Sequence, residues 1–298
     1  MKIFYHNDND GLCAGFWVLN SAFHYDNKDK ELYEMNYGMP FPFNEIKKDE
    51  QVYIVDYSIL PEEMDKLLSI TKDVTWIDHH MSAIKKYENY NKHIRGIRLD
   101  GVAACMLTYC YLNHMTDLGR GETKPFNSLM IECAPMFTKY IADYDVWTFT
   151  YGDDTKKFQI AFTTLYDRKP DAAIWFDLLD DWEGIQIVKD IINSAEDMIA
   201  YRNSFAKSYC KNHGYEVEFT GLKCFCINIG SVGSEYFNSI DEDKYDMFIA
   251  FSYNGKQWVY SLRSTKVNVA EVAMLYGGGG HSGAAGFESK EFLLGKSN

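Results

Sequence analysis

His6, Asp8 and Asp10 occupy alternate positions of the stretch HNDND. On an extended or turning backbone, alternate side chains share a side, so three hard ligands face one way, a set suited to a divalent cation. Asp56 in VDYS and Asp78, His79 and His80 in IDHH extend the inventory, and Asp143 or Asp145 in IADYDVW offers one more carboxylate. Carboxylates and imidazoles without a thiol suit Mn²⁺, Mg²⁺ or a similar ion better than structural zinc. The donors outnumber the needs of one ion. Two ions about 3.5–4 Å apart, sharing a bridging carboxylate, would use all of them.

Three short apolar runs lead into these residues: MKIFY into HNDND, QVYIV into DYS, and VTWI into DHH. Each reads as a buried strand. The segment GLCAGFWVLNSAF after the first reads as a helix. So does SILPEEMDKLLSITK after the second, with Ser58 as cap, Pro61 in the first turn, and Leu60, Met64, Leu67 and Leu68 on one face. Strand–helix–strand alternation implies a parallel sheet, and in such sheets ligands bind beyond the carboxyl ends of the strands. Taken singly, HNDND reads as a polar turn, DYS as a helix cap and the late glycine run as a loose hairpin. Their joint placement after successive strands favours one converging site.

Two further helices are expected over 101–115 and 126–142, the second interrupted at Pro135, and a long helix runs to about residue 209. The pattern then changes. YEVEF, LKCFCINI, MFIAFSY and QWVYSLRS read as strands, and NVAEVAMLY as a helix capped by Asn268 with Glu271 three residues on. This places one domain over 1–184, a helical linker over 185–212 and a second domain over 213–298.

At 298 residues, 46% of them hydrophobic and 16% aromatic, the chain can bury more than one core. No apolar run reaches a membrane span, and MKIFYH passes too quickly into polar residues for a signal peptide. Seven scattered cysteines without a CxxC pair are expected to be reduced thiols of a cytoplasmic protein. A net charge of −13 argues against coating long nucleic acid, but not against a short phosphate substrate.

HNDNDG, the isolated Asp of VDYS, IDHH and, near the end, GGGGHSGAAGF occur in the order seen in the DHH phosphoesterase superfamily, which the chain resembles over nearly its whole length. The last motif, with YSLRS before it, is similar to the DHH-associated substrate-binding domain. The resemblance implies an α/β fold: a parallel-sheet catalytic domain and a smaller α/β substrate-binding domain joined by a helical linker. It implies two divalent ions, Mn²⁺ first and Mg²⁺ or Co²⁺ as alternatives. His6 and Asp8 would hold one ion, and Asp10, His79 and Asp143 the other, with Asp145 competing for the last place. Asp56 would bridge them, Asp78 would orient the imidazoles, and His80 would face the substrate phosphate.

Arg263, Ser264, Gly278, Gly279, Gly280 and His281 would then bind substrate, the bare glycine backbone approaching a phosphate. The implied activity is an oligoribonuclease-like phosphodiesterase releasing nucleoside monophosphates from short RNA or DNA oligonucleotides or linear dinucleotides. No membrane partner is expected, and a homodimer is compatible with the pattern. A phosphatase for 3′,5′-adenosine bisphosphate or pyrophosphate, and a degenerate binding protein, are the rival readings.

Overall fold

The computed structural model describes residues 1–25, 29–114, 128–180 and 182–295. The chain divides into two compact units, Met1–Glu196 and Asp197–Asn298.

The first unit opens with β1 (Lys2–His6), α1 (Asn9–Tyr25), β2 (Glu31–Met35), β3 (Val52–Val55), α2 (Pro61–Ile70), β4 (Val74–Ile77) and α3 (Met81–Lys86). The four strands form a wholly parallel sheet of order β2-β1-β3-β4. The three expected strands are all present. β2 is an addition: Glu31 and Glu34 interrupt ELYEM and only Met35 is buried, as an edge strand allows, so no apolar run announces it. The chain moves outward from β1 to β2 and then returns across β1 to β3. The carboxyl ends of β1 and β3 therefore flank the point where strand order reverses, the place where open parallel sheets form a crevice.

One face of the sheet is closed by a core that includes Phe4, Ile54, Met64, Leu67 and Trp76. α2 presents Met64, Leu67 and Leu68 to the interior. Its start corrects the expected cap. The residue before the first turn is Leu60, not Ser58; Pro61 follows, and Glu63 Oε2 accepts from the Leu60 N–H at 2.9 Å. The remaining helices are α4 (Ala104–His114), α5 (Ser128–Glu132), α6 (Met136–Asp145), α7 (Asp153–Leu165) and α8 (Ala173–Asp177). α1 packs on β1, α4 and α6. Phe16 stacks on Trp175, Trp17 stacks on Phe137, and the Trp17 indole donates to Thr138 Oγ1 at 3.2 Å. The expected break at Pro135 falls between α5 and α6, and residues 126 and 127 of that expected helix lie outside the described residues.

α9 (Glu183–His213) runs from the first unit into the second. The second unit continues with β5 (Tyr215–Phe219), β6 (Leu222–Asn228), β7 (Met247–Tyr253), β8 (Trp258–Arg263), α10 (Val269–Met274), β9 (Gly279–His281) and β10 (Ala284–Ser289). Its sheet has the order β5-β6-β7-β8-β10-β9, antiparallel except for the β6–β7 pair. Asn268 caps α10 by accepting from the Ala270 N–H.

The glycine run is an edge hairpin of the second sheet and not an open loop. The Gly277 and Gly278 N–H groups close the end of α10 on Met274 and Ala273 carbonyls, and Gly279–His281 then pair with β10 as an edge strand. A side chain on Gly278 would strike the Gly286 carbonyl, and Gly280 needs a φ of +143°. The close β9–β10 hairpin thus accounts for the bare backbone at Gly278 and Gly280.

Candidate metal centre

The end of β1 turns directly into α1. Asp8 starts the helix, its Oδ1 accepting from the Gly11 N–H at 2.9 Å. Gly11 permits this tight turn, because a Cβ there would lie 2.2 Å from the His6 carbonyl oxygen. Asp10 is buried in the first turn of α1. Its two oxygens accept from the Ala104 and Cys105 N–H groups at 2.8 and 2.7 Å, the positive end of α4. Asp56 follows β3 with a φ of 53°, a left-handed conformation uncommon for a residue bearing a Cβ. Its N–H is tied to the Ile77 carbonyl of β4 at 3.0 Å. Asp78 Oδ1 accepts from the backbone N–H groups of His79 and His80 and lies 2.8 Å from His80 Nδ1.

These elements bring three groups of donor atoms together: His6, Asp8 and Asp56; Asp10, His79 and Asp145; and Asp56, His79 and His80. His6 Nδ1 lies 2.8 Å from Asp8 Oδ2 and 3.6 Å from Asp56 Oδ2. His79 Nε2 lies 3.4 Å from Asp56 Oδ1, 3.6 Å from Asp10 Oδ2 and 3.3 Å from Asp145 Oδ2. Donor atoms each about 2.1 Å from one ion at tetrahedral or octahedral angles stand about 3.0–3.5 Å apart; the His79 spacings to Asp56 and Asp145, 3.4 and 3.3 Å, fall in that range, and the 2.8 and 3.6 Å spacings lie just outside it.

Asp56 is 1% exposed, and among the described residues no hydrogen-bond donor reaches either of its oxygens. Asp145 Oδ2 is likewise buried without a donor. An uncompensated buried carboxylate is costly, so the donor set fits a divalent cation on each side of Asp56. The electrostatics agree. Burial, then the charges of Asp10, Asp8, Asp145 and Asp78, push the Asp56 carboxyl well above its ordinary value. Burial, Asp10 and Asp8 do the same to Asp145. Burial alone would lift Asp8 too, but the hydrogen bond and charge of His6, with the Gly11 N–H, hold it near 2. Burial would depress His80, yet the hydrogen bond with and charge of Asp78, together with Asp10 and Asp8, keep it above its ordinary value.

The structure separates the two carboxylates at the end of α6, and it corrects the expected ligand. Asp143 is turned away from the cluster. It accepts from the Thr148 hydroxyl at 2.6 Å, the Thr150 and Tyr151 N–H groups at 2.7 and 3.2 Å, and the Thr155 hydroxyl. Those contacts hold its carboxyl below the ordinary value against the opposing effect of burial. Asp145 supplies the carboxylate that joins Asp10 and His79.

In the second unit, Arg263 ends β8, and Gly279, Gly280 and His281 are exposed on β9. Ser264 does not fit the substrate contact expected of it. Its hydroxyl donates to the Asp246 carbonyl at 2.6 Å and accepts from the Lys266 and Val267 N–H groups, so it serves the loop after β8. One feature beside the first unit's cluster had no signal in the sequence. Arg168 donates to Asn9 Oδ1, and Asn9 donates in turn to Gln159 and Thr163 of α7. The partners are too far apart along the chain for any local pattern to link them.

The chain is similar to proteins of both cellular and viral origin. It is 26% identical over 312 residues to oligoribonuclease NrnB of Bacillus subtilis (strain 168), covering 95% of this chain and 71% of that one. It is 21% identical over 248 residues to the uncharacterized protein R106 of Acanthamoeba polyphaga mimivirus, covering 80% of this chain and 53% of the viral protein. Among solved structures, the DHH domain of a member of the s1p family of ribosomal proteins superposes with a TM-score of 0.57 at 13% identity, over 96% of this chain and 81% of that one. No protein-family model matches the sequence.

Proposed function

We propose that this chain is a member of the DHH phosphoesterase superfamily, and that it is a divalent-metal-dependent phosphodiesterase that cuts short oligonucleotides or linear dinucleotides to nucleoside monophosphates; its 26% identity to an oligoribonuclease supports the reading. The observation that carries this reading is Asp56: two buried oxygens without a donor, between His6 and Asp8 on one side and Asp10, His79 and Asp145 on the other. His6, Asp8 and Asp56 would hold one ion, and Asp10, Asp56, His79 and Asp145 a second, with Mn²⁺ the first candidate. When bound, such ions lower the pKa of water and stabilise charge on phosphoryl oxygens.

The protein's own part is positioning. Asp78 fixes the His80 ring and favours its protonated form, which suits a donor to a phosphate oxygen. The amino end of α4 holds Asp10 with both oxygens engaged, so its orientation is set before substrate arrives. In the second unit Arg263 and His281 are the residues proposed to grip a substrate phosphate, Arg263 through a planar cation. The net charge of −13 favours short substrates over long polymers.

One panel tests the reading. The protein is incubated with Mn²⁺ and, separately, pGpG, pApA, a five-residue RNA, a twenty-residue single-stranded DNA, pyrophosphate and 3′,5′-adenosine bisphosphate. Turnover of the dinucleotides and the short RNA ahead of the others is expected. Exclusive turnover of pyrophosphate or the bisphosphate would replace the phosphodiesterase with a phosphatase, and binding without turnover would make the chain a degenerate relative.

A further inference from the structure

The turn after α6 is built against backbone preference. Trp147 has a φ of 60° and Phe149 a φ of 50°, both in the left-handed region that residues with a Cβ avoid. Asp143 enforces this course. Its carboxylate gathers the Thr148 hydroxyl and the Thr150 and Tyr151 N–H groups, and its main-chain carbonyl accepts from the Thr148 N–H at 3.1 Å. The result is an indole that is 56% exposed. Its ring meets Phe149 edge-on at 4.7 Å and Tyr144 at 5.1 Å, and Lys156 Nζ stands 4.8 Å from the centre of the Phe149 ring.

A large aromatic held in water by a strained, heavily bonded turn is a feature of binding surfaces. Its location says what it would bind. Trp147 is two residues from Asp145, so their Cα atoms are within roughly 7 Å, and Asp145 Oδ2 lies 3.3 Å from His79 Nε2. A nucleotide whose phosphate sits at the carboxylate–imidazole cluster carries its base at about the reach of this ring. We propose that Trp147 is a stacking platform for a nucleobase of the substrate, supported edge-on by Tyr144 and Phe149, with Asp143 as the residue that positions it. The proposal rests on the phosphodiesterase reading and narrows it: every base has a π face, so the platform selects nucleotides over base-free phosphates without selecting among bases.

The test compares wild type, Trp147→Phe and Trp147→Leu on a 5′-phosphorylated dinucleotide and on its tetrahydrofuran counterpart lacking both bases, with Mn²⁺ present. Loss of one base stack corresponds to roughly a 5- to 140-fold change. Trp147→Leu is expected to raise KM for the dinucleotide by that factor and leave the base-free compound unchanged, while Trp147→Phe stays within a few-fold of wild type on both. Equal loss on both compounds, or no loss on either, overturns the proposal; the second result would fit a surface used by a protein partner. If wild type cleaves neither compound, the phosphodiesterase reading fails separately. The platform is then judged by whether GMP quenches tryptophan fluorescence, with the quench reduced in Trp147→Phe, and an unchanged quench overturns it.

Discussion

Arg263 and His281 stand on one register line of the second sheet, each paired with Ala284 from opposite sides. Directly opposed residues in antiparallel pairs project to the same face, and two strand spacings put these backbones about 9.5 Å apart. A cation and an imidazole thus flank the smallest of chiral side chains, far apart in sequence but presented together. Arg263→Ala and His281→Ala are each expected to raise KM for a dinucleotide about ten- to a hundredfold, the worth of a charge-assisted hydrogen bond. The Mn²⁺-induced rise in melting temperature should stay at the wild-type value. Loss of that rise in either variant would mean that the residue serves the metal centre rather than the substrate.

Asp56→Asn is expected to separate stability from function. In the metal-free chain this buried carboxylate has no donor among the described residues, and its removal should stabilise the fold by about 1–3 kcal/mol. The same change removes the carboxylate proposed to serve both ions, so Mn²⁺ should no longer raise the melting temperature and turnover should vanish. Calorimetry with and without Mn²⁺ checks both halves. A wild-type response to Mn²⁺ would show that Asp56 bridges nothing.

The raised carboxyls of Asp56 and Asp145 give a pH dependence with a definite sign. Both hold a proton more tightly in the folded chain than in the unfolded one. Their contribution to stability is therefore full below the ordinary aspartate value, about 3.9, and is lost as pH rises through the folded values. Asp8 and Asp143, which are lowered, act in the opposite sense at acid pH. The difference in melting temperature between Asp56→Asn and wild type, both metal-free, should accordingly widen as pH rises from 5 to 8. Mn²⁺ binding should release protons, seen as a buffer-dependent heat in titration calorimetry. A difference that narrows with rising pH would contradict the assignment.

Asp143 and Asp145 should yield opposite phenotypes. Asp145→Asn should abolish Mn²⁺-dependent turnover while leaving the metal-free melting temperature equal or higher. Asp143→Asn weakens several contacts to the following turn and should cost about 2–4 kcal/mol of stability. At temperatures where it remains folded, it should keep part of its turnover. Exchange of the two phenotypes would reverse the placement of the carboxylates.

The sequence by itself determined three of the four strands of the first unit's sheet and most of its centre. The runs KIFYH, VYIV and VTWI are too apolar and too short for anything but buried strands, and parallel strands must all deliver their following residues to one edge. That topological fact brings His6, Asp8, Asp56 and His79 together without any knowledge of strand order. β2 escaped notice because the exposed Glu31 and Glu34 break up ELYEM, as an edge strand allows, which leaves no apolar run to read.

Tertiary structure alone decided the rest. Successive helical residues are about 100° apart, so Asp143 and Asp145 point in nearly opposite directions from α6. Which of them meets His79 depends on how α6 is rolled against α1 and α4, a matter of packing that no local pattern encodes. The glycine run was legible as bare backbone but not as an edge strand, because its partner, the segment Ala284–Ser289, gains a register only by pairing with β8 on its other side. Asn9 and Arg168 meet for the same reason: two distant segments share one layer of the folded chain.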